Sequence, residues 1–264
     1  MSNGARAPHH VGQAPYTYRF DWGVSGLRAL APEADLVVVV DILRFTTAVC
    51  AVLEAGATVL PYPWADAGAP AFAAAHRAMV AGRREDGVPS LSPTDLLTLR
   101  AGTRLLLPSP NGAALASAAV AHGARRLVAG CLRNATAVAT FALRAVGRRG
   151  SVAVIAAGER WDAADGPLRP AIEDLLGAGA ILAALDPSGA VSSPCCSPEA
   201  RAARAAFLDA RPRLYDHLRR SVSGLDLVAR GWDDDVAASA ALDVTNVVPE
   251  LIDGEFVPAH SRAH

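Results

Sequence analysis

Short apolar runs alternate with longer Ala-rich segments along the chain. The clearest run covers residues 36–41, LVVVVD, in which β-branched side chains follow one another without a polar interruption. Such a run is typical of a strand that is buried on both faces. Residues 45–56 then predict a helix, which Gly56 terminates. The pattern therefore begins with a buried strand that leads directly into a helix.

The same alternation continues through the rest of the chain. Further strands are predicted at residues 16–22, 58–62, 104–107, 126–129, 152–156, 244–248 and 255–257. Further helices are predicted at residues 65–81, 113–122, 135–146, 170–185 and 199–222. Because strands alternate with helices, we expect an α/β fold with α/β/α layers around a mostly parallel or mixed sheet.

The length of 264 residues is enough for a core that needs no disulfides or metals to hold it together. Residues 16–258 are predicted to form one α/β catalytic domain, or two closely packed lobes, after a disordered tail at residues 1–15. No apolar stretch is long enough to span a membrane, and the first residues lack the apolar centre of a signal peptide. The expected location is therefore the cytoplasm, without a membrane partner.

The charges narrow the chemistry further. The net charge of −1 gives no reason to expect a nucleic-acid partner. All 25 cationic residues are arginine, which excludes Schiff bases, pyridoxal phosphate attachment and the lysine of P-loop and kinase sites. Histidine is sparse, and no zinc motif or Ser/His/Asp arrangement stands out. A metal would therefore be held by carboxylate oxygens, which suit Mg²⁺ or Mn²⁺.

Polar residues or glycine directly follow four of the predicted strands, at residues 41–47, 109–112, 131–134 and 158–160. Each segment alone can be explained as a helix cap or a turn. In open α/β sheets, however, ligands bind beyond the carboxyl ends of the strands. The agreement among the four strand ends favours a shared binding site.

Asp41 is the most informative single residue, because a carboxylate that ends a buried strand needs a partner. It is expected to cap the following helix, to pair with Arg44 or to bind a metal. Thr46 and Thr47 place two hydroxyl groups in the first helical turn. Together with Arg44 and the helix N-terminus, these hydroxyls predict a binding site for phosphate.

Other acidic residues extend this prediction. Glu159, Glu173 and Asp174 supply carboxylates, but the last two are adjacent on a helix and point about 100° apart. Only one of them is therefore expected to reach a given site. The acidic run at residues 233–235 is interpreted as a solvated turn. The glycines at 177 and 179 are interpreted as a close helix contact, because they lie within a helix.

Six segments, in order, resemble the motifs of the 2-phosphosulfolactate phosphatase (ComB) family. They are residues 39–47 (VVDILRFTT), 90–93 (SLSP), 108–112 (PSPNG), 130–134 (GCLRN), 157–159 (AGE) and 173–179 (EDLLGAG). The resemblance implies a Mg²⁺-dependent phosphatase that converts 2-phosphosulfolactate to 3-sulfolactate and phosphate, on the route to coenzyme M. The reaction class carries over more directly than the exact substrate.

The resemblance also implies roles for individual residues. Catalysis is assigned to Asp41, Arg44 and Glu159, and Mg²⁺ to Asp41 and Glu159 with either Glu173 or Asp174. A water is preferred over Asp41 as the nucleophile. The small anionic substrate is assigned to the hydroxyl, amide, arginine and glycine groups at Thr46, Thr47, Ser90, Ser92, Ser109, Asn111, Gly112, Arg133 and Asn134.

The residues allow alternatives to a phosphatase. The alternative to an enzyme is a non-catalytic module that binds small phosphorylated or sulfonated acids on the same scaffold. The candidate assembly is a homodimer. A dinucleotide oxidoreductase would need a glycine-rich turn between a strand and a helix, and we find none in the sequence.

Overall fold

A computed structural model describes residues 12–63, 66–147, 149–161, 166–188 and 195–259. In these ranges, the strands are β1 (Tyr18–Trp22), β2 (Leu36–Val40), β3 (Thr58–Tyr62), β4 (Met79–Val80), β5 (Arg104–Pro108), β6 (Leu127–Gly130), β7 (Val152–Ala156), β8 (Glu159–Arg160), β9 (Leu168–Arg169), β10 (Pro249–Ile252) and β11 (Glu255–Pro258). The pair β8–β9 forms a small antiparallel ribbon, and the other strands form one sheet in the order β1-β7-β2-β6-β10-β11-β3-β5-β4.

The sheet contains two parallel blocks that run in opposite directions. Strands β1, β7, β2 and β6 are parallel to one another, and so are β3, β5 and β4. The hairpin β10–β11 lies between the blocks and pairs antiparallel with both. The sheet is therefore mixed, and the carboxyl ends of its parallel strands do not all lie at one edge.

The helices cover both faces of the sheet. In the described part of the chain they are α1 (Gly23–Leu30), α2 (Phe45–Glu54), α3 (Ala69–Ala75), α4 (Pro93–Leu96), α5 (Gly112–Ala121), α6 (Ala135–Val146), α7 (Ile172–Leu185), α8 (Pro198–Ala210), α9 (Leu214–Arg220), α10 (Val222–Ala229) and α11 (Asp233–Ala240). One core contains residues of α6, α7 and α8, and the core on the opposite face contains residues of α1, α2 and α5. This arrangement confirms the layered α/β/α fold.

Strand β2 shows why the valine run folds as it does. All five residues are completely buried. Val38 and Val40 belong to the core beneath α6 and α7, whereas Val37 and Val39 belong to the core beneath α2 and α5. Because successive side chains of a strand point to opposite faces, a strand between two helical layers must be apolar at every position.

Several element predictions were wrong in detail. The helix predicted at residues 65–81 is the short helix α3, followed by the edge strand β4. The single helix predicted at 199–222 is instead divided into α8 and α9, with a 3-10 turn at Arg211–Arg213 around Pro212, a residue that lacks the backbone donor of a continuous helix. The strand predicted at 244–248 begins instead at Pro249.

The N-terminal tail prediction is only partly covered, because residues 1–11 lie outside the described residues. Within the described ranges, no helix combines the length and apolar character needed to cross a membrane. The glycines of helix α7 behave as expected, since a Cβ at Gly177 or Gly179 would collide with Ile42 or with the backbone of α8 at Ala203. The predicted close helix contact is confirmed for Gly179, whereas Gly177 packs closely against Ile42 in the turn after β2.

Candidate active site

Asp41 organises the turn between β2 and α2. Its Oδ1 accepts a hydrogen bond from the backbone N–H of Phe45 at 3.0 Å, so the predicted helix cap is confirmed. The hydroxyl of Thr46 donates to the Asp41 carbonyl, and the hydroxyl of Thr47 donates to the Ile42 carbonyl. Both threonines are fully buried. The structure thus places these two hydroxyls on the backbone of the turn.

Three further carboxylates lie near Asp41, of which Glu173 and Asp174 are buried and Glu159 is partly buried. The pKa of Asp41 is raised to about 7. Burial is the main cause, and the negative charges of Glu159 and Glu173 contribute to the same rise. Burial and the charges of Asp41 and Glu173 also raise the pKa of Asp174. These effects show that the structure brings the predicted acidic residues together into one electrostatically coupled group, which we call the acidic cluster: Asp41, Glu159, Glu173 and Asp174.

The two neighbouring acids of α7 have different roles. Asp174 accepts hydrogen bonds from the backbone N–H groups of Ile42 at 2.7 Å and Gly158 at 2.9 Å, one on each carboxylate oxygen. It therefore joins the ends of β2 and β7. Glu173 is only 2% exposed and has no hydrogen-bond donor among the described residues. Of the two, Glu173 is the carboxylate for which the described part of the chain supplies no donor.

Glu159 enters the cluster from the β8–β9 ribbon. Its Oε2 accepts a hydrogen bond from the side-chain amide of Asn111 at 2.8 Å. Burial is the largest cause that raises the pKa of Glu159, and the charge of Glu173 adds to it. Arg169, which pairs with Glu159 across the ribbon, partly offsets this effect. A cavity of about 170 Å³ adjoins Glu159 and Asn111.

The loop after β5 reaches the same site by close packing. The hydroxyl oxygen of Ser109 accepts a hydrogen bond from the backbone N–H of Gly112 at 3.2 Å. A Cβ atom at Gly112 would lie 2.6 Å from Oδ2 of Asp41, and it would also collide with the ring of Phe45. Only glycine therefore allows α5 to begin directly against Asp41. This contact brings Ser109, Asn111 and Gly112 to the acidic cluster, although the β5 block runs opposite to β2.

Arg44 does not pair with Asp41. Its Nη1 donates to Oδ2 of Asp235 at 2.9 Å, and its guanidinium carbon lies 4.9 Å from the ring centre of Trp232. Asp235 is completely buried, so the interpretation of residues 233–235 as a solvated turn was wrong for this residue. Asp234 is exposed and Asp233 is partly exposed, and they form ion pairs with Arg84 and Arg219 respectively.

Ser90 and Ser92 lie in the loop before α4. The backbone N–H of Ser92 donates to the Ser90 hydroxyl at 3.1 Å, and the Ser92 hydroxyl donates to Oδ1 of Asp235 at 2.6 Å. Ser92 also caps α4, through the backbone N–H of Asp95. Both serines are buried. The structure thus connects this loop to Arg44 through Asp235.

The segment after β6 is engaged in structural contacts. Arg133 donates from Nε and Nη2 to Glu54 at the end of α2, and from Nη1 to the carbonyl of Ala238. The side chain of Asn134 accepts from the backbone N–H of Cys131 and donates to the carbonyl of Val247. Of the four predicted strand ends, this is the one whose side chains the structure does not direct to the acidic cluster.

Three site residues were missed in the sequence. Arg169 faces Glu159, while Arg84 and Asp235 belong to the group around Arg44. Arg169 could have been recognised as a cation close to the Gly-Glu motif at 158–159. Asp235 gave no local signal, because its burial depends on contacts with residues more than 140 positions away.

A family model described as 2-phosphosulpholactate phosphatase matches residues 27–254, which is most of the chain. No curated protein matches the chain. The matched range contains every side chain of the acidic cluster, together with Arg44, Arg84, Arg169 and Asp235.

Proposed function

The chain belongs to the 2-phosphosulpholactate phosphatase family, whose members are phosphoric monoester hydrolases, and we propose that it hydrolyses 2-phosphosulfolactate or a closely related small phosphorylated acid with the help of Mg²⁺. The observation that carries the proposal is the acidic cluster at the end of β2, with Arg44 on the same turn. Buried carboxylates that repel one another suit a divalent cation, and the arginine suits a phosphoryl group.

Two carboxylates of the cluster suit Mg²⁺, although the described residues contain no group of three or more acidic, histidine or cysteine side chains placed to hold a metal ion by themselves. Mg²⁺ retains several waters and is commonly bound through one or two carboxylates plus substrate phosphate, so a complete protein cage is not required. Glu173 and Asp41 are the residues that would hold it, because Glu173 has no hydrogen-bond donor among the described residues and both carboxylates are buried. Asp174 is committed to two backbone N–H groups and positions the strand ends instead.

When bound, Mg²⁺ would offset negative charge on the phosphoryl oxygens as the bond to phosphorus breaks. Arg44 contributes to the same stabilisation, because its Nε and Nη2 have no partner among the described residues and can donate to two phosphoryl oxygens. Ser109, which lies against the start of α5, and the backbone N–H groups there orient the phosphate.

Glu159 moves the proton. Its raised pKa makes it a stronger base than an ordinary carboxylate, and Asn111 fixes one of its oxygens. Glu159 takes a proton from the attacking water as the water oxygen bonds to phosphorus. The ester bond between phosphorus and the substrate oxygen breaks, that oxygen takes up a proton from solvent, and Glu159 later releases its own proton to solvent. The products are inorganic phosphate and the hydroxy acid.

A substrate panel tests the proposal. Phosphate release would be measured with 2-phosphosulfolactate, with 2-phospholactate as the matched substrate without the sulfonate, and with 4-nitrophenyl phosphate. We expect turnover of 2-phosphosulfolactate that EDTA abolishes and Mg²⁺ restores, and a kcat/KM at least about tenfold lower for 2-phospholactate, as expected for one lost charge-assisted contact. Binding of 2-phosphosulfolactate without turnover at any Mg²⁺ concentration would instead favour a binding module.

A further inference from the structure

Asp235 lies at the centre of a buried polar group that joins three distant parts of the chain. Its Oδ2 accepts from Nη1 of Arg44 at 2.9 Å and lies 3.6 Å from Nη1 of Arg84. Its Oδ1 accepts from the hydroxyls of Ser92 at 2.6 Å and Thr94 at 3.0 Å. Asp235 itself is 0% exposed. A buried carboxylate with this many donors is held in one orientation.

This arrangement fixes the direction of the Arg44 side chain. Asp235 holds one terminal nitrogen of the guanidinium, and the indole of Trp232 lies 4.9 Å from its central carbon. The remaining two nitrogens of Arg44, Nε and Nη2, have no partner within the part of the chain that the structure describes. The guanidinium is therefore anchored at one corner, and its other donors are available to a ligand.

We infer that Asp235 is a positioning residue, which orients Arg44 for the phosphoryl group of the substrate. This inference rests on the proposed function, because it assigns the free donors of Arg44 to that phosphoryl group. Arg84 lies beside the same carboxylate but forms ion pairs with Asp95 and Asp234, so among the described residues Arg44 is the arginine of this group whose donors remain available to an anion. Asp235 acts through Arg44 and does not itself contact the substrate.

The variant Asp235→Asn tests the inference. The amide keeps the size of the side chain but removes its charge. It therefore cannot form all the hydrogen bonds and ion pairs that the carboxylate forms with Arg44, Arg84, Ser92 and Thr94. Affinity for inorganic phosphate would be measured by calorimetry, and kcat and KM for 2-phosphosulfolactate by phosphate release. The control is Asp233→Asn, on the same helical turn, whose carboxylate instead contacts Tyr215 and Arg219.

We expect Asp235→Asn to weaken phosphate binding about tenfold or more and to change kcat and KM in the same proportions as Arg44→Gln does. The two substitutions affect the same interaction. Adding Arg44→Gln to Asp235→Asn should therefore weaken phosphate binding by less than about threefold more, whereas losses at independent sites would multiply. Asp233→Asn should match the wild type in both measurements.

Two results would overturn the role of Asp235: wild-type phosphate affinity in a folded Asp235→Asn variant, or losses that multiply in the double variant. If Asp235→Asn does not fold, Asp235→Glu decides, because its longer side chain must displace Arg44; wild-type kinetics in that variant would refute the inference. Failure of the proposed function is distinguishable, since it would appear as wild-type protein that binds phosphate but releases none from the ester.

Discussion

At the scale of single residues, Asp41 combines a structural and a chemical role. One of its oxygens caps α2, while Gly112 packs against the other. Its charge is unfavourable in this position, because burial and the charges of Glu159 and Glu173 raise its pKa to about 7. The protein tolerates an acid at this point that its own environment disfavours, which is typical of functional sites.

The raised pKa of Asp41 predicts how stability depends on pH. The unfolded chain releases the Asp41 proton near pH 3.8, whereas the metal-free folded protein keeps it until about pH 7. The folded state binds more protons between these values, so stability falls as pH rises through this window, by about 1.4 kcal/mol per pKa unit. Asp41→Asn removes this contribution.

We therefore expect the metal-free Asp41→Asn variant to gain stability relative to the wild type between pH 5 and pH 8, as measured by thermal unfolding. Mg²⁺ should reduce the difference at pH 8, because it favours the ionised wild-type carboxylate. Loss of the Asp41 charge also lowers the raised pKa of Asp174, which changes stability in the same direction. A difference in Tm that stays constant with pH would contradict this assignment.

The residues differ in how far the sequence could predict them. Asp41 could be found because it ends a valine run, and Glu159 because it follows a strand and a glycine. Asp235 could not be found, because the packing of other elements decides whether an acidic run at the start of a helix is exposed or buried. The choice between Glu173 and Asp174 likewise required the backbone N–H groups of Ile42 and Gly158.

At the scale of elements, the contact between the start of α5 and the end of β2 builds the site. We expect Gly112→Ala to destabilise the protein by about 1–3 kcal/mol, because the added methyl group would overlap Asp41 and Phe45. The same displacement should lower kcat/KM by about tenfold or more, since 1.4 kcal/mol of lost transition-state stabilisation is tenfold in rate. Denaturant unfolding and phosphate release measure the two effects.

Ser117→Ala is the matched control for this variant. Ser117 lies on the same helix, at a partly exposed position away from Asp41. Its replacement should leave kcat/KM within about twofold of the wild type, because a surface substitution changes stability by about 0.5 kcal/mol or less. Wild-type activity in Gly112→Ala would show that the close approach of α5 is unimportant for the site.

A second contact between elements concerns Arg133, which the sequence assigned to the substrate. In the structure, its ion pair with Glu54 connects the end of α2 to the 3-10 turn after β6. We expect Arg133→Met to cost about 2–4 kcal/mol of stability, because it leaves Glu54 without its partner. The KM of the folded variant should change less than about threefold, in contrast to a residue that binds substrate.

Arg144→Met provides the comparison, because Arg144 is exposed on α6. It should leave both the unfolding free energy and KM close to the wild-type values. If Arg133→Met instead raises KM tenfold or more while stability stays unchanged, the original assignment of Arg133 to the substrate is correct.

Elements with strong local patterns were predictable, and those that depend on a neighbour were not. The valine run of β2 and the apolar β7 specify buried strands by themselves. The two-residue strands β4, β8 and β9 exist only because each pairs with another strand. The Ala-rich residues after Pro70 favour a helix, so the local pattern of residues 65–81 could not reveal that β4 pairs with the edge of the sheet.

At the scale of the whole molecule, the site depends on a mixed sheet. The ends of β2 and β7 meet at one edge because these strands are parallel neighbours, as the sequence suggested. The β5 loop belongs to the block that runs in the opposite direction, and it reaches Asp41 through the start of α5 instead. The prediction that the strand ends lie together is therefore correct for three of the four ends. The end of β5 joins them through the start of α5, and not because β5 is parallel to β2.

The family, the acidic cluster and the Arg44 donors that are unpaired among the described residues all support phosphate ester hydrolysis. The distinction between an enzyme and a binding module depends on whether the buried acids do chemistry, since binding an anion would gain nothing from four carboxylates. The proposal thus makes the carboxylates, and Asp41 first among them, necessary for turnover.

The most direct measurement is Mg²⁺-dependent phosphate release from 2-phosphosulfolactate by the wild type and by Asp41→Asn. The wild type should release phosphate, lose this activity with EDTA and recover it with Mg²⁺. Asp41→Asn, confirmed as folded by circular dichroism, should be slower by about 10³-fold, which corresponds to a loss of about 4 kcal/mol. Undiminished Mg²⁺-dependent phosphate release by Asp41→Asn would show that Asp41 is not needed for hydrolysis.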